Sequence, residues 1–256
     1  RWDRLVMSAV LCAGFIALAV VGNNAYFHIE QSILALHSSW GAVALCATVN
    51  GVLGGLFAKA LLAGPKAWVP KSRRGWLERH PVLLAAVCGL LVALLGLLTA
   101  GATYGTGYEQ AAALLNGHPL DSMIFGIAKL GATILSYFAG IPGGIFTPSL
   151  AIGAGIGDNI ALLLPGTSDG QLIALLSMAA FLAAATQAPI TASVIVMEMT
   201  RSQDVTLLLL ATTLAASVIS RQFCPRPFYH TASRTFRREA MHKHQVVPAT
   251  SAAAQP

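Results

Sequence analysis

The stretch Gly140-Ile141-Pro142-Gly143-Gly144-Ile145-Phe146-Thr147-Pro148 separates two long apolar runs, and the chemistry it offers belongs to its backbone. Glycine and proline at this density cannot continue a helix. A helix restarting just beyond them presents N–H groups without intrahelical acceptors, together with the positive end of its dipole. Such an end suits an anion. Pro148 falls in the first turn of the restarted helix, where a missing N–H costs little. The free donors are then those around Gly144, Ile145, Phe146 and Thr147. A rival reading is structural: Gly140 and Gly144 have the GxxxG spacing that lets two helices approach closely. No Lys-Ser/Thr pair follows the glycines, which excludes a nucleotide-binding P-loop.

Other residue groups could carry chemistry of their own. Gly155-Ile156-Gly157-Asp158 reads GxGD, a pattern of intramembrane aspartyl proteases. That reaction needs two carboxylates sharing a proton. Asp3, Asp121, Asp169 and Asp204 all fall at span ends or in loops, so Asp158 lacks a partner. The small residues around it are expected to serve close helix packing. Glu198 interrupts an apolar stretch, and an acid inside a membrane segment is a functional candidate. The nearby Arg201 favours instead a carboxylate at an interfacial helix end. Tyr229, in Arg226-Pro227-Phe228-Tyr229-His230, reads either as an interfacial aromatic anchor or as a phenol donor closing an anion site. Cys12, Cys46, Cys88 and Cys224 are scattered without CxxC spacing and read as small buried hydrophobes. His242 and His244 flank Lys243, the other histidines are isolated, and no spacing suggests a metal site. No cofactor is expected.

The elements that must position these residues are membrane spans. The chain is 55% hydrophobic and only 10% charged, far from the composition of a soluble domain. No Asp, Glu, Lys or Arg occurs in Leu5–Ile29, Gln31–Ala58, His80–Tyr108, Leu130–Gly157, Gly170–Met197 or Val205–Ser220. Several of these exceed the ~20 apolar residues that cross a bilayer core. Too little polar sequence remains to cover them as helices of a soluble protein. The expected spans are Leu5–Phe27, Trp40–Leu62, Pro81–Thr99, Leu120–Phe138, Phe146–Leu164, Gln171–Ala185, Ile190–Met199 and Val205–Ser220. A short apolar piece, Gln110–Leu115, follows a Gly-rich loop. An amphipathic segment, Phe228–Met241, precedes a tail expected to be disordered.

The net charge of +6 does not point to nucleic acid, because the cations cluster beside spans. Lys59, Lys66, Lys71, Arg73, Arg74 and Arg79 form one group; Arg221, Arg226, Arg234, Arg237, Arg238 and Lys243 form another. Basic loops mark the cytoplasmic side, and the terminal group also suits contact with anionic lipid. Unequal helical pieces broken by Gly or Pro are a transporter and channel signature. The reading is an all-α polytopic membrane protein with broken and re-entrant helices.

At this point the residues resemble a known family. Gly143-Gly144-Ile145-Phe146-Thr147-Pro148-Ser149-Leu150, with Ile152-Gly153-Ala154 and Gly157, is similar to the signature of CLC chloride channels and proton–chloride antiporters. Gly105-Thr106-Gly107-Tyr108-Glu109, Ala188-Pro189-Ile190-Thr191 with Glu198-Met199-Thr200, and Pro227-Phe228-Tyr229 match in order and spacing. The resemblance implies a homodimer with one anion pathway per subunit, each built from two inverted repeats. It implies that backbone N–H groups at Ile145 and Phe146, beside Gly144, receive chloride, and that the Tyr229 phenol faces the same ion. Charge counting puts Tyr229 on the cytoplasmic side independently. Ile145-Phe146 favours chloride over fluoride.

Two motifs of the family, Gly-Ser-Gly-Ile-Pro and Gly-Lys/Arg-Glu-Gly-Pro, do not occur here. The latter carries the gating glutamate, and the proton-relaying glutamate also belongs upstream of Leu5. The chain therefore resembles the second half of such a protein: residues 1–241 as the transport domain and 242–256 as a cytoplasmic tail. The resemblance implies a non-enzymatic chloride transporter, proton-coupled or alternatively a passive voltage-gated channel. With no nucleotide-binding domain after the last helix of this sequence, a prokaryotic inner-membrane type is expected.

Overall fold

The computed structural model of the chain describes residues 2–22, 26–27, 40–120, 122–141, 143–164 and 170–234. Among them the regular structure is helical. The α-helices are α1 (Trp2–Val21), α2 (Trp40–Ala63), α3 (Lys71–Arg79), α4 (Pro81–Leu98), α5 (Tyr108–Leu115), α6 (Phe125–Phe138), α7 (Phe146–Leu163), α8 (Gly170–Thr186), α9 (Pro189–Thr200) and α10 (Thr206–Phe223). Residues 228–234 are helical as well. Among the described residues four helices, α2, α4, α7 and α10, are long and apolar enough to cross a membrane.

The centre of the fold is α8, buried at every position from Gln171 to Thr186. It is hydrophobic all round, as a helix surrounded by others must be. It contacts α7, α2, α10 and α9. Within a bilayer, apolar burial gives helices little reason to associate, so close packing of small residues takes over. A Cβ built on Gly153 would lie 2.5 Å from the Ser177 carbonyl oxygen, and one on Gly157 2.7 Å from Ala174 Cα. On the other face of α7, a Cβ on Gly155 would lie 2.8 Å from Gly126 Cα of α6. The glycines of the GxGD stretch thus let α7 press against α8 and α6 together. On α2, Gly54 meets α8 in the same way, 2.6 Å from Ala184 Cβ. A side-chain hydrogen bond from Gln187 to the Cys224 carbonyl ties the end of α8 to the end of α10.

Several boundaries differ from expectation for identifiable reasons. The first span ends at Val21, where Gly22 turns to φ 82°, and does not continue to Phe27. Phe27 is instead buried, stacked 5.1 Å from Tyr108, with its N–H donating to the Met199 carbonyl at 2.8 Å. The sixth helix begins at Phe125 rather than Leu120, because residues 122–125 close a turn with Phe125 N–H on the Ser122 carbonyl. At 14 residues it rises about 21 Å, short of a full crossing. The last span runs on to Phe223, stopped by Pro225. The basic segment after α2 is not a plain loop: a 3₁₀ turn, Pro65–Trp68, and α3 occupy it. Cys12 is exposed, not buried, because α1 is exposed from Arg4 to Val20. Residues 28–39 and 165–169, Asp121, the amphipathic segment beyond Arg234 and the tail 242–256 lie outside the described residues.

Candidate functional site

The break between α6 and α7 falls where the Gly/Pro pattern puts it. Gly140, at φ 77°, adopts a backbone conformation that a side chain would oppose. A Cβ at Gly140, Gly143 or Gly144 would meet nothing within 4 Å. Among the described residues, therefore, the Gly140–Gly144 spacing packs no helix against another. What the glycines do instead is leave the backbone open.

The α7 helix starts at Phe146 with Ile145 as N-cap, and no side chain caps it. The Ile145 carbonyl is turned into the helix, where it accepts the Ser149 N–H at 3.0 Å and the Ser149 hydroxyl at 2.6 Å. The N–H groups of Gly144, Ile145, Phe146 and Thr147 donate to no described residue. Pro148, in the first turn, has no N–H to satisfy. The result is a run of donors ending at the positive pole of an 18-residue helix.

Two cavities share this run. The first, about 540 Å³, is lined by Gly143, Gly144 and Ile145 on one side and by Phe228 and Tyr229 on the other. The Tyr229 ring packs edge-on against Phe228 at 5.5 Å, and Phe228 likewise against Tyr137 at 6.3 Å. The Tyr229 hydroxyl bonds to no described residue. The structure thus brings Gly144, Ile145 and Tyr229 to one cavity across more than 80 residues of sequence. Phe146 is not among the lining residues; its side chain is half-buried against the core, and its N–H has no described acceptor.

The second cavity, about 240 Å³, reaches from the same glycines and Ile145 along α6 to the Gly-rich loop, past Tyr137, Thr133 and Lys129 to Gly105 and Thr103. Lys129 is the residue that sequence reading does not single out. It sits in the interior of the stretch expected to span as Leu120–Phe138, and an ionisable residue there is a functional candidate in its own right. It is 2% exposed. Its Nζ donates to the carbonyls of Thr103 at 2.8 Å and Gly105 at 2.7 Å. Gly107, at φ 83°, lets the loop pass over it: a Cβ there would lie 3.1 Å from Lys129 Cε and 2.6 Å from Ala151 Cβ.

The remaining candidates scatter. Asp158 is half-buried beside His118 and Gln171 in a separate pocket. Asp204 is exposed in a turn far along the chain, and no other described carboxylate lines the pocket that holds Asp158. Glu198 is exposed in the last turn of α9, next to Arg201 at φ 53°. It fits the helix-end reading.

Helices that stop and restart inside an apolar bundle, with free backbone donors facing cavities at the restart, define a polytopic membrane protein of the transporter and channel architecture. The family profile described as voltage gated chloride channel matches residues 2–221, and the chain belongs to that family. A voltage-gated ClC-type chloride channel ClcB from Escherichia coli O81 (strain ED1a) is 39% identical over 197 residues, covering 73% of this chain and 46% of the relative. Among solved structures, a CLC-type fluoride/proton antiporter superposes with TM-score 0.63 at 23% identity, over 77% of this chain and 48% of that one. A slow cyanobacterial Cl−/H+ antiporter superposes with TM-score 0.61 at 24% identity, over 85% and 52%. The fold is the CLC type. The chain spans about half the length of the relatives it matches.

Proposed function

We propose that this chain forms one wall of a chloride pathway across a membrane, as the second half of a proton-coupled chloride antiporter. The observation that carries the reading is the run of unbonded N–H groups from Gly144 to Thr147 at the start of α7, of which Gly144 and Ile145 line a cavity together with Tyr229. A halide there accepts from backbone donors and a phenol, with the helix dipole adding attraction. The Ile145 carbonyl, already accepting two bonds from Ser149, does not compete for a cation. The gating and proton-relaying carboxylates belong to the half that precedes Leu5. A passive channel is the alternative, favoured by the channel description of the matching family and of the ClcB relatives.

In this reading residues 1–241 are the transport domain and 242–256 a cytoplasmic tail. The protein works as a homodimer in a prokaryotic inner membrane. The basic residues of α3 and of the segment after α10 face the cytoplasm, which sets Tyr229 as the inner gate. Chloride efflux from vesicles holding the full-length protein, with pH recorded at the same time, tests it. Coupled proton uptake identifies the antiporter; efflux without it identifies the channel. Tyr229→Ala is expected to uncouple or accelerate the flux and to weaken halide binding about tenfold or more, the loss of one hydrogen bond to an ion. Flux and binding left unchanged by Tyr229→Ala would remove Tyr229 from the site.

A further inference from the structure

The link between α2 and α4 concentrates charge that the proposed chloride site does not use. From Lys59 to Arg79 the sequence carries six cations and one acid, Glu78. The two flanking helices are each long and apolar enough to cross a membrane. Residues 64–80, which join them, therefore return the chain at one membrane surface. There the 3₁₀ turn Pro65–Trp68 leads into α3. Trp68 is 67% exposed. Lys71 and Arg79 are exposed too, and neither side chain bonds to a described residue. Arg74 is half-buried: its Nε donates to the Val69 carbonyl at 3.2 Å, which fastens α3 to the residue after Trp68.

We infer that this turn and α3 form a docking site for an anionic phospholipid, with Lys71, Arg74 and Arg79 around its phosphodiester and Trp68 at headgroup depth. The three cations stand at i, i+3 and i+8, so one face of the nine-residue helix carries them all. Gly75, at i+4 on that face, has no side chain, and a Cβ there would meet nothing within 4 Å. The cations thus flank open space in which a phosphate fits. Charge alone would also suit an acidic protein. The exposed indole decides for lipid, because an aromatic beside the ends of two spans belongs in the interfacial layer, where clustered cations attract an anionic leaflet. The inference stands apart from the chloride reading and needs only that α2 and α4 cross a membrane.

Photoactivatable analogues of phosphatidylglycerol and phosphatidylcholine, photolysed in vesicles holding the full-length protein, test this, with the attached lipid mapped by peptide mass spectrometry. At equal content the phosphatidylglycerol probe should label residues 65–79 about fivefold more than the phosphatidylcholine probe, or better. Lys71→Gln combined with Arg79→Gln should cut that labelling about tenfold, whereas Lys71→Arg combined with Arg79→Lys keeps it. Glycerol 3-phosphate added in excess to the solution should leave the labelling unchanged. Equal labelling by the two probes would mean cations merely solvated beside the bilayer, and overturns the site. Labelling that glycerol 3-phosphate displaces overturns a membrane lipid as the occupant. The comparison of probes uses the unaltered protein, so a poorly folding variant leaves the test decisive. Chloride flux plays no part in the readout, which keeps the result independent of the transport reading.

Discussion

Removing a single backbone donor from the break is the sharpest perturbation the structure suggests. Replacing the amide between Ile145 and Phe146 by an ester, through incorporation of the α-hydroxy analogue of phenylalanine, deletes the Phe146 N–H and keeps the side chain. That N–H has no intrahelical acceptor, so the helix loses no bond of its own. A hydrogen bond to a charged group contributes about 1.5–3 kcal/mol, and about 1.4 kcal/mol is a factor of ten. Bromide binding, measured calorimetrically on the full-length protein, should therefore weaken by about ten- to a hundredfold. The ester also makes the Ile145 carbonyl a poorer acceptor for the two Ser149 bonds at 3.0 and 2.6 Å. Those bonds are buried, so the cost appears as a lower melting temperature, separable from affinity. An ester at Leu150, whose N–H bonds inside α7, is the control: it should lower stability and leave bromide affinity within about twofold. Unchanged affinity in a folded Phe146 ester would refute the assignment of this donor.

Two further outcomes follow from the glycines. Gly153→Ala drives a Cβ to 2.5 Å from the Ser177 carbonyl oxygen and 2.7 Å from Met178 Cα, so overpacking should cost about 1–3 kcal/mol, read as loss of monodisperse protein on heating. Gly144→Ala meets nothing within 4 Å and has no positive φ, so its melting temperature should stay near that of the parent. Its methyl group enters both cavities, however, and chloride flux should fall severalfold; full flux would show that neither cavity carries the ion.

The sequence makes the breaks legible because glycine and proline act locally. The stop after Thr186 and the restart at Pro189 follow from Gln187-Ala188-Pro189, as the start of α7 follows from Gly143-Gly144. Composition is a poorer guide to where an apolar run stops being a helix. Residues 22–27 carry no charge, so a charge count extends the first span to Phe27, and only tertiary contacts turn Phe27 into the core against Tyr108. Tyr229 reaches the break through the packing of Phe228 against Tyr137 of α6, information that no local pattern holds and that came only from the family resemblance. Lys129 differs again. Its presence in a span was visible, but the carbonyls that hold it belong to a loop some 25 residues earlier, so its environment could be read only from the fold.

The saturated carbonyl of Ile145 has a consequence for how such a site would be found. The unbonded donors of residues 144–147 are peptide N–H groups, and side-chain replacement leaves them in place unless proline enters. An alanine scan across these positions would change cavity shape and packing while leaving the donors untouched. In the proposed site such a scan would give low scores to the residues whose N–H groups hold the ion, and a map built from it would credit Tyr229 with work done mostly by the main chain.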